Sequence, residues 1–148
     1  MYKDIITLFN RYVDSMGNTL WFPHVLTGVN FNGDRSVIVN KYGEQSKDNA
    51  VLNIKYHIAD SGKMVNNLPY LDPKEWEKQV NDDLPKSITF AQGNDFDFFM
   101  LGDYGSEEVI EDSKGTFFRE MQQEYSNVYA ITSVAEYSVI PHFQITGK

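Results

Sequence analysis

The chain has 148 residues, 41% of them hydrophobic and 14% aromatic, with ten Phe and nine Tyr. That is enough for one domain with a real core, and it excludes wholesale disorder. A formal net charge of −8 argues against gripping duplex DNA through phosphate contacts, which need clustered Lys and Arg; the simplest use of the charge is solubility.

There is no Cys, so disulfides, thiolate metal sites and Cys nucleophiles are excluded. No apolar run reaches about 18 residues, so no transmembrane helix is expected. The opening MYKDIITLFNRY interrupts its apolar residues with an acid and an Arg, which makes a poor signal peptide. A cytoplasmic site of synthesis and retention is expected.

In residues 4–13, Ile5, Phe9, Val13 and Met16 recur at helical spacing, yet ITLFNRYV is rich in β-formers. Gly17 and Asn18 offer a turn, and TLWFPHVLTGVNF resumes with β composition. Two such runs around a Gly-containing loop predict a hairpin. Pro23 makes its second strand an edge strand or a bulged one. Residues 30–49 are polar at both ends around SVIVNKY, which predicts a surface excursion holding a short strand.

Residues 50–58 alternate as one strand, with Leu52, Ile54, Tyr56 and Ile58 on one face. Asp60-Ser61-Gly62-Lys63 ends it with turn chemistry. A short helix is expected over 74–81, with Asp72 as N-cap, Pro73 at the first helical position and Glu75 at capping-box spacing; Trp76 and Val80 share its face. Residues 87–90 and 96–103 read as a hairpin, SITF–AQGND–FDFFMLGD. A second long loop, about 103–115, is acidic: Glu107, Glu108, Glu111 and Asp112. A helix follows over 116–125, striped by Phe117, Met121 and Tyr125.

The clearest periodicity is VYAITSVAEYSVIPHFQIT, residues 128–146, whose odd positions are nearly all apolar or aromatic. It is either one long bent strand or two strands joined without Gly, with Pro141 at an edge, bend or bulge. Its odd face is expected to close a core against Leu52, Ile54 and Tyr56. The whole is mainly β: a small barrel or sandwich with one or two short helices, long loop insertions and no linker that would split residues 1–148.

Chemistry-bearing patterns are sparse. His24, His57 and His142 lack metal-ligand spacing and read as surface or hydrogen-bonded side chains. Asp95, Asp97 and Asp103 share one face of the expected hairpin, where a solvated face outweighs a Mg²⁺ or acid–base site. No G-x-S-x-G elbow is present, and SGK lacks the rest of a phosphate loop. Trp21 and Trp76 read as core or interface aromatics. No catalytic residue, cofactor or metal is therefore assigned, and the chain is not expected to be an enzyme.

Three segments resemble head-completion proteins of tailed bacteriophages, the small head–tail connector or stopper subunits. ITLFNRY with TLWFPHVLTGVNF is similar to their opening hairpin. Residues 87–103, with their QGNDFDFFMLGD, are similar to their strand–turn–strand element. AITSVAEYSVIPHFQITGK, with His142, Phe143, Gly147 and Lys148, is similar to their closing segment. The resemblance implies an SH3-like β-barrel with a helix appended. It implies a ring, six- or twelve-fold, in the virion neck, touching portal or adaptor and tail-terminator proteins while packaged DNA passes through. It implies no catalysis, cofactor or membrane.

Glu107, Glu108, Glu111 and Asp112 are then the expected lumen-facing loop, repelling DNA so that it slides; a merely solvated loop is the plainer alternative. Pro141, His142, Phe143 and Ile145 are the expected subunit interface, as an edge that pairs with a neighbour. The competing readings are a small cytoplasmic phage-encoded accessory module without catalysis, and an enzyme using carboxylates near Asp97 and Asp103.

Overall fold

Consecutive side chains of a strand point to opposite faces, and in β1 (Asp4–Val13) both faces are covered. The computed structural model describes residues 2–34, 49–93, 96–111 and 115–148. Ile6 and Leu8 point into the main core, while Phe9 points out into a second cluster. Double coverage explains the unbroken apolar run that mimics helical spacing.

β1 pairs antiparallel with β2 (Thr19–Asp34) as the expected hairpin. Among the described residues β1 alone flanks β2 at Pro23, and the missing N–H falls on the side away from it. β2 then changes partner. An extra residue opposite Asp4–Ile6 makes a bulge, Gly28 takes φ +64, and residues 30–34 pair with β3 (Asn49–Lys55). The polar excursion therefore starts later than expected, because 30–34 and 49 belong to strands. Its remainder, 35–48 with the SVIVNKY strand, lies outside the described residues.

β3 pairs with β10 (His142–Gly147), β10 with β9 (Val128–Tyr137), β9 with β7 (Phe98–Leu101), and β7 with β1. All six pairings are antiparallel and the ring of strands is closed, giving a small six-stranded β-barrel. A two-residue strand, β8 (Val109–Ile110), adds to the start of β2. The chain is thus mainly β, with two short helices, α1 (Pro73–Glu77) and α2 (Phe117–Glu124).

The single strand expected over 50–58 is interrupted at Tyr56, whose N–H donates to the Pro141 carbonyl at 3.3 Å. Beyond it the chain leaves the barrel. β4 (His57–Ala59), β5 (Gly62–Val65) and β6 (Leu68–Pro69) form a separate three-stranded sheet. Ile58 is consequently 67% exposed, contrary to its expected inward face.

The hairpin expected between 87–90 and 96–103 does not form. β7 takes β1 and β9 as its neighbours instead. Residues 87–90 follow a 3-10 turn (Leu84–Lys86) and insert Ile88 and Phe90 into the main core. Ile88 exchanges backbone hydrogen bonds with Pro69 and Leu71. Phe90 meets Phe143 edge-on at 5.1 Å between centroids, and Tyr70 lies 4.6 Å from the same ring.

The outer face carries two further clusters. α2 covers Phe9, Trp21 and Phe98 with Phe117, Phe118 and Met121. Its expected stripe holds for Met121, but Tyr125 is half-exposed. α1 brings Trp76 against Phe22 and Leu84, and the Trp76 indole donates to Ser87 O at 3.1 Å. Asp72 makes no side-chain cap bond and Val80 is exposed, so the expected capping box and the Trp76–Val80 face are absent.

The stretch 128–146 resolves into two strands joined by a turn at 138–141. Within β9 its odd-face pattern holds only to Ile131, and it resumes in β10, where Phe143 and Ile145 are buried. Gly147 pairs with Ile131 and Thr146 with Ser133, so one extra residue, Thr132, bulges from β9. The bulge exchanges the faces. Val134 packs against the core, while Ala135 and Tyr137 are exposed. The Thr132 hydroxyl donates to Thr146 O at 3.0 Å.

A Cβ on Gly147 would lie 2.7 Å from the Tyr129 Cβ and 2.9 Å from the Phe99 ring. Gly147→Ala is expected to lower stability by about 1–3 kcal/mol through overpacking. A urea midpoint unchanged from the parent would show that the three strands give way freely.

Candidate functional site

Asp97 lies immediately before β7 and is 1% exposed. Its Oδ1 accepts the Arg11 N–H at 2.8 Å. Its Oδ2 accepts the Ala91 N–H at 2.8 Å and the Asn10 Nδ2 at 3.0 Å. Asn10 also donates to Thr89 O at 2.6 Å. The Asp97 backbone joins in: its N–H donates to Ala91 O and its carbonyl accepts from Ile131, each at 2.9 Å.

One residue thus ties β1, the 87–91 segment and β9 together. The solvated face expected for Asp97 is overturned, because the chain folds its carboxylate inward to meet these N–H groups. Asp103 remains exposed, and Asp95 lies outside the described residues. Burial pushes the Asp97 carboxyl up to about 7, opposed by the bonds from Arg11, Ala91 and Asn10 and by the Arg11 charge. With three donors on its two oxygens, Asp97 is built as a crosslink.

The carboxylate borders a cleft of about 860 Å³, lined by Arg11, Tyr70, Lys74, Thr89 and Gln92 among others. Burial, with Asp72 and Glu136 nearby, pushes the Tyr70 phenol up to about 12, so it stays protonated and neutral.

The residues expected to face a channel are dispersed. Glu107 and Glu108 are exposed between β7 and β8. Glu111 is half-buried and accepts the Phe117 N–H at 3.0 Å, which caps the start of α2. Asp112 lies outside the described residues.

The expected interface also divides. Phe143 is 1% exposed and Ile145 is fully buried, because β10 runs between β9 and β3 and has no free edge. These two are core residues, and their assignment to an interface is corrected. Pro141 is exposed in the turn, and His142 is half-buried. The His142 ring stacks on Tyr137 at 4.8 Å, with Nδ1 2.7 Å from Ile140 O.

The exposed apolar groups sit one step earlier. Val139 is 96% exposed, Ile140 72% and Tyr137 46%. The signal for them was Val-Ile-Pro in a segment with no Gly or Asn to mark the turn. Read as a turn, it puts two large apolar side chains at a hairpin tip.

His24 departs from expectation too. It is 6% exposed, and its Nε2 has no hydrogen-bond partner. Burial pushes it down to about 4, so it is neutral above that pH. Asp97 and His24 pull stability in opposite directions. The raised Asp97 value makes the native state hold an extra proton between about 4 and 7, so that contribution, about 4 kcal/mol, is lost as pH rises through 7. The lowered His24 value makes the unfolded state hold the extra proton between about 4 and 6.5. That contribution, about 3 kcal/mol, is present above 6.5 and lost as pH falls through 4. Between pH 4.5 and 6.5 the two offset each other, and the parent's unfolding free energy is expected to be nearly flat. His24→Leu should then lose stability as pH rises, and Asp97→Asn should gain it. Urea denaturation at several pH values checks this; parallel slopes in all three proteins would refute it.

No curated protein and no solved structure matches the chain. One family description, Family of unknown function (DUF6751), matches residues 1–148. The match spans the barrel, both helices and the hairpin tip, and the chain belongs to that family.

Proposed function

We propose that the chain is a structural subunit of a tailed-phage neck. In this reading it joins portal and head to tail as an oligomeric ring of six or twelve copies, works without catalysis, and helps retain or gate packaged DNA. It is made in the host cytoplasm and resides in the virion. The phage assignment rests on the resemblance of the opening hairpin and the closing segment to head-completion proteins; the third resembling segment, 87–103, does not form the hairpin that resemblance implied.

The observation that carries the assembly role is the tip of the β9–β10 hairpin. Val139 and Ile140 are largely exposed on a chain of net charge −8. Exposed large apolar side chains at a protruding turn serve contact. Covering each would contribute roughly 1.5–3 kcal/mol. The strands beneath the tip are anchored in the core by Phe143 and Ile145, so the turn is presented from a rigid base. The exposed Glu107 and Glu108 suit a surface past which DNA slides, since like charge repels phosphate.

Electron microscopy and native mass spectrometry should find rings when the chain is mixed with portal and tail-terminator proteins. Val139→Asp with Ile140→Asp should abolish those rings while the melting temperature stays within a few degrees, because both side chains lie off the core. A chain that ignores every neck protein, or a double variant that assembles like the parent, would sink the reading.

A further inference from the structure

The cleft beside Asp97, of about 860 Å³, has the size of a small-ligand site, where apolar walls surround a few placed polar groups. Its polar groups converge. Asp97 accepts the backbone N–H groups of Arg11 and Ala91, each at 2.8 Å. The Arg11 charge acts on the same carboxyl, and the Asp97 charge acts on the Tyr70 phenol. Asp97 therefore gathers Arg11, Tyr70 and Ala91 around one part of the cleft, and all of them line it.

The walls are aromatic. Tyr12 meets Trp76 edge-on at 6.2 Å between centroids, and Tyr70 lies 5.3 Å from Phe90. All four rings line the cleft. Tyr12 and Tyr70 are half-buried, so part of their ring surface is open to an occupant.

The charge here runs against that of the chain, which is −8 overall. Arg11, Lys74 and Lys78 line the cleft together with Glu77 and Asp97. Asp97 keeps its proton below about 7. In mildly acid solution Glu77 is then the negative group that faces these cations from the cleft's described residues. Lys78 lies 3.7 Å from Glu75. Lys74 is exposed and has no ion pair among the described residues.

We propose that this cleft binds a small aromatic carboxylate. Its carboxylate accepts from Lys74 and Arg11, whose side chains are donors only, and from the Tyr70 hydroxyl, which stays protonated. Its ring lies against Tyr12 and Tyr70. A cationic ligand would meet like charges, and a bare anion would leave the aromatic walls in water. Asp97 is a positioning residue here: its oxygens are occupied by Arg11, Ala91 and Asn10, and it fixes the segments that carry the ligand's partners. The site stands apart from the neck reading, because Val139 and Ile140 do not line it.

The test uses the full chain, isotope-labelled, at pH 6, with indole-3-acetate as probe and indole-3-acetamide, tryptamine and acetate as controls. Saturable NMR shifts at the Trp76 indole and at the Ala91 and Gln92 amides are expected for indole-3-acetate. Binding of the neutral amide should be weaker by about tenfold, with no saturation by tryptamine or by acetate. Lys74→Gln should weaken the indole-3-acetate response by about fivefold. Lys86→Gln removes the same charge from outside the cleft and should leave the response unchanged; both positions are exposed, so the fold is kept. No saturable shift, equal binding of the amide or tryptamine, or acetate saturating the same amides would overturn the assignment. So would equal losses in the two lysine variants, which would reduce the effect to overall charge.

Discussion

The fold depends on how the end of the barrel is stoppered, and the Asp97 carboxylate is the group that holds the stopper in place. Ile88 and Phe90 are carried into the core by a segment that, among the described residues, joins no strand ladder and has one isolated bridge, Tyr70 with Ile88. Such a segment needs its N–H groups satisfied from elsewhere. Asp97 accepts from Ala91 on the stopper and from Arg11 and Asn10 on β1, while its own backbone bonds bind Ala91 and Ile131. Remove the carboxylate and buried donors on two elements lose their acceptor together. These bonds offset part of the cost of placing an ionisable residue at 1% exposure.

Around that stopper the barrel wall is covered on both sides over β1 and β7. Phe99 points in and Phe98 points out. The outward set is roofed by α2, where Phe98 and Phe118 lie 4.9 Å apart, and a separate outward cluster is roofed by α1 through Trp76. A small barrel has little interior to fill. Outer clusters let this one bury more aromatic surface than its interior would hold. The helices are short because their work is to cover strands, and packing rather than propensity keeps them helical.

This layout decides what was legible in the sequence. The β1–β2 hairpin was, because Gly17-Asn18 separates two β-rich runs. α2 was, because Phe117 and Met121 fall on one face. The odd face of 128–146 pointed to Leu52 and Ile54, which Ile145 and Phe143 do meet in register, but Pro141 suggested a free edge from there on, where β10 is in fact paired on both sides. The rest turned on non-local facts. Whether 87–90 pairs with 98–101 depends on β1 and β9 competing for the same strand, and nothing near Ser87 records that competition. The Thr132 bulge exchanges inside and outside within one strand, so a correct period of two gave the wrong face for the remainder of β9. Asp97 and His24 looked like surface polar residues because burial of a polar group is set by its distant partners. For Asp97 these lie on β1 and the stopper. His24 has none at Nε2.

The hairpin tip is the surface feature that the core does not explain. Val139 is 96% exposed and Ile140 72%, while Phe143 and Ile145, a few residues on, are buried between β9 and β3. Anchoring and exposure thus alternate within one hairpin: the strands are held by the barrel, and the turn keeps two large apolar side chains in water, at a cost that contact with another apolar surface would remove.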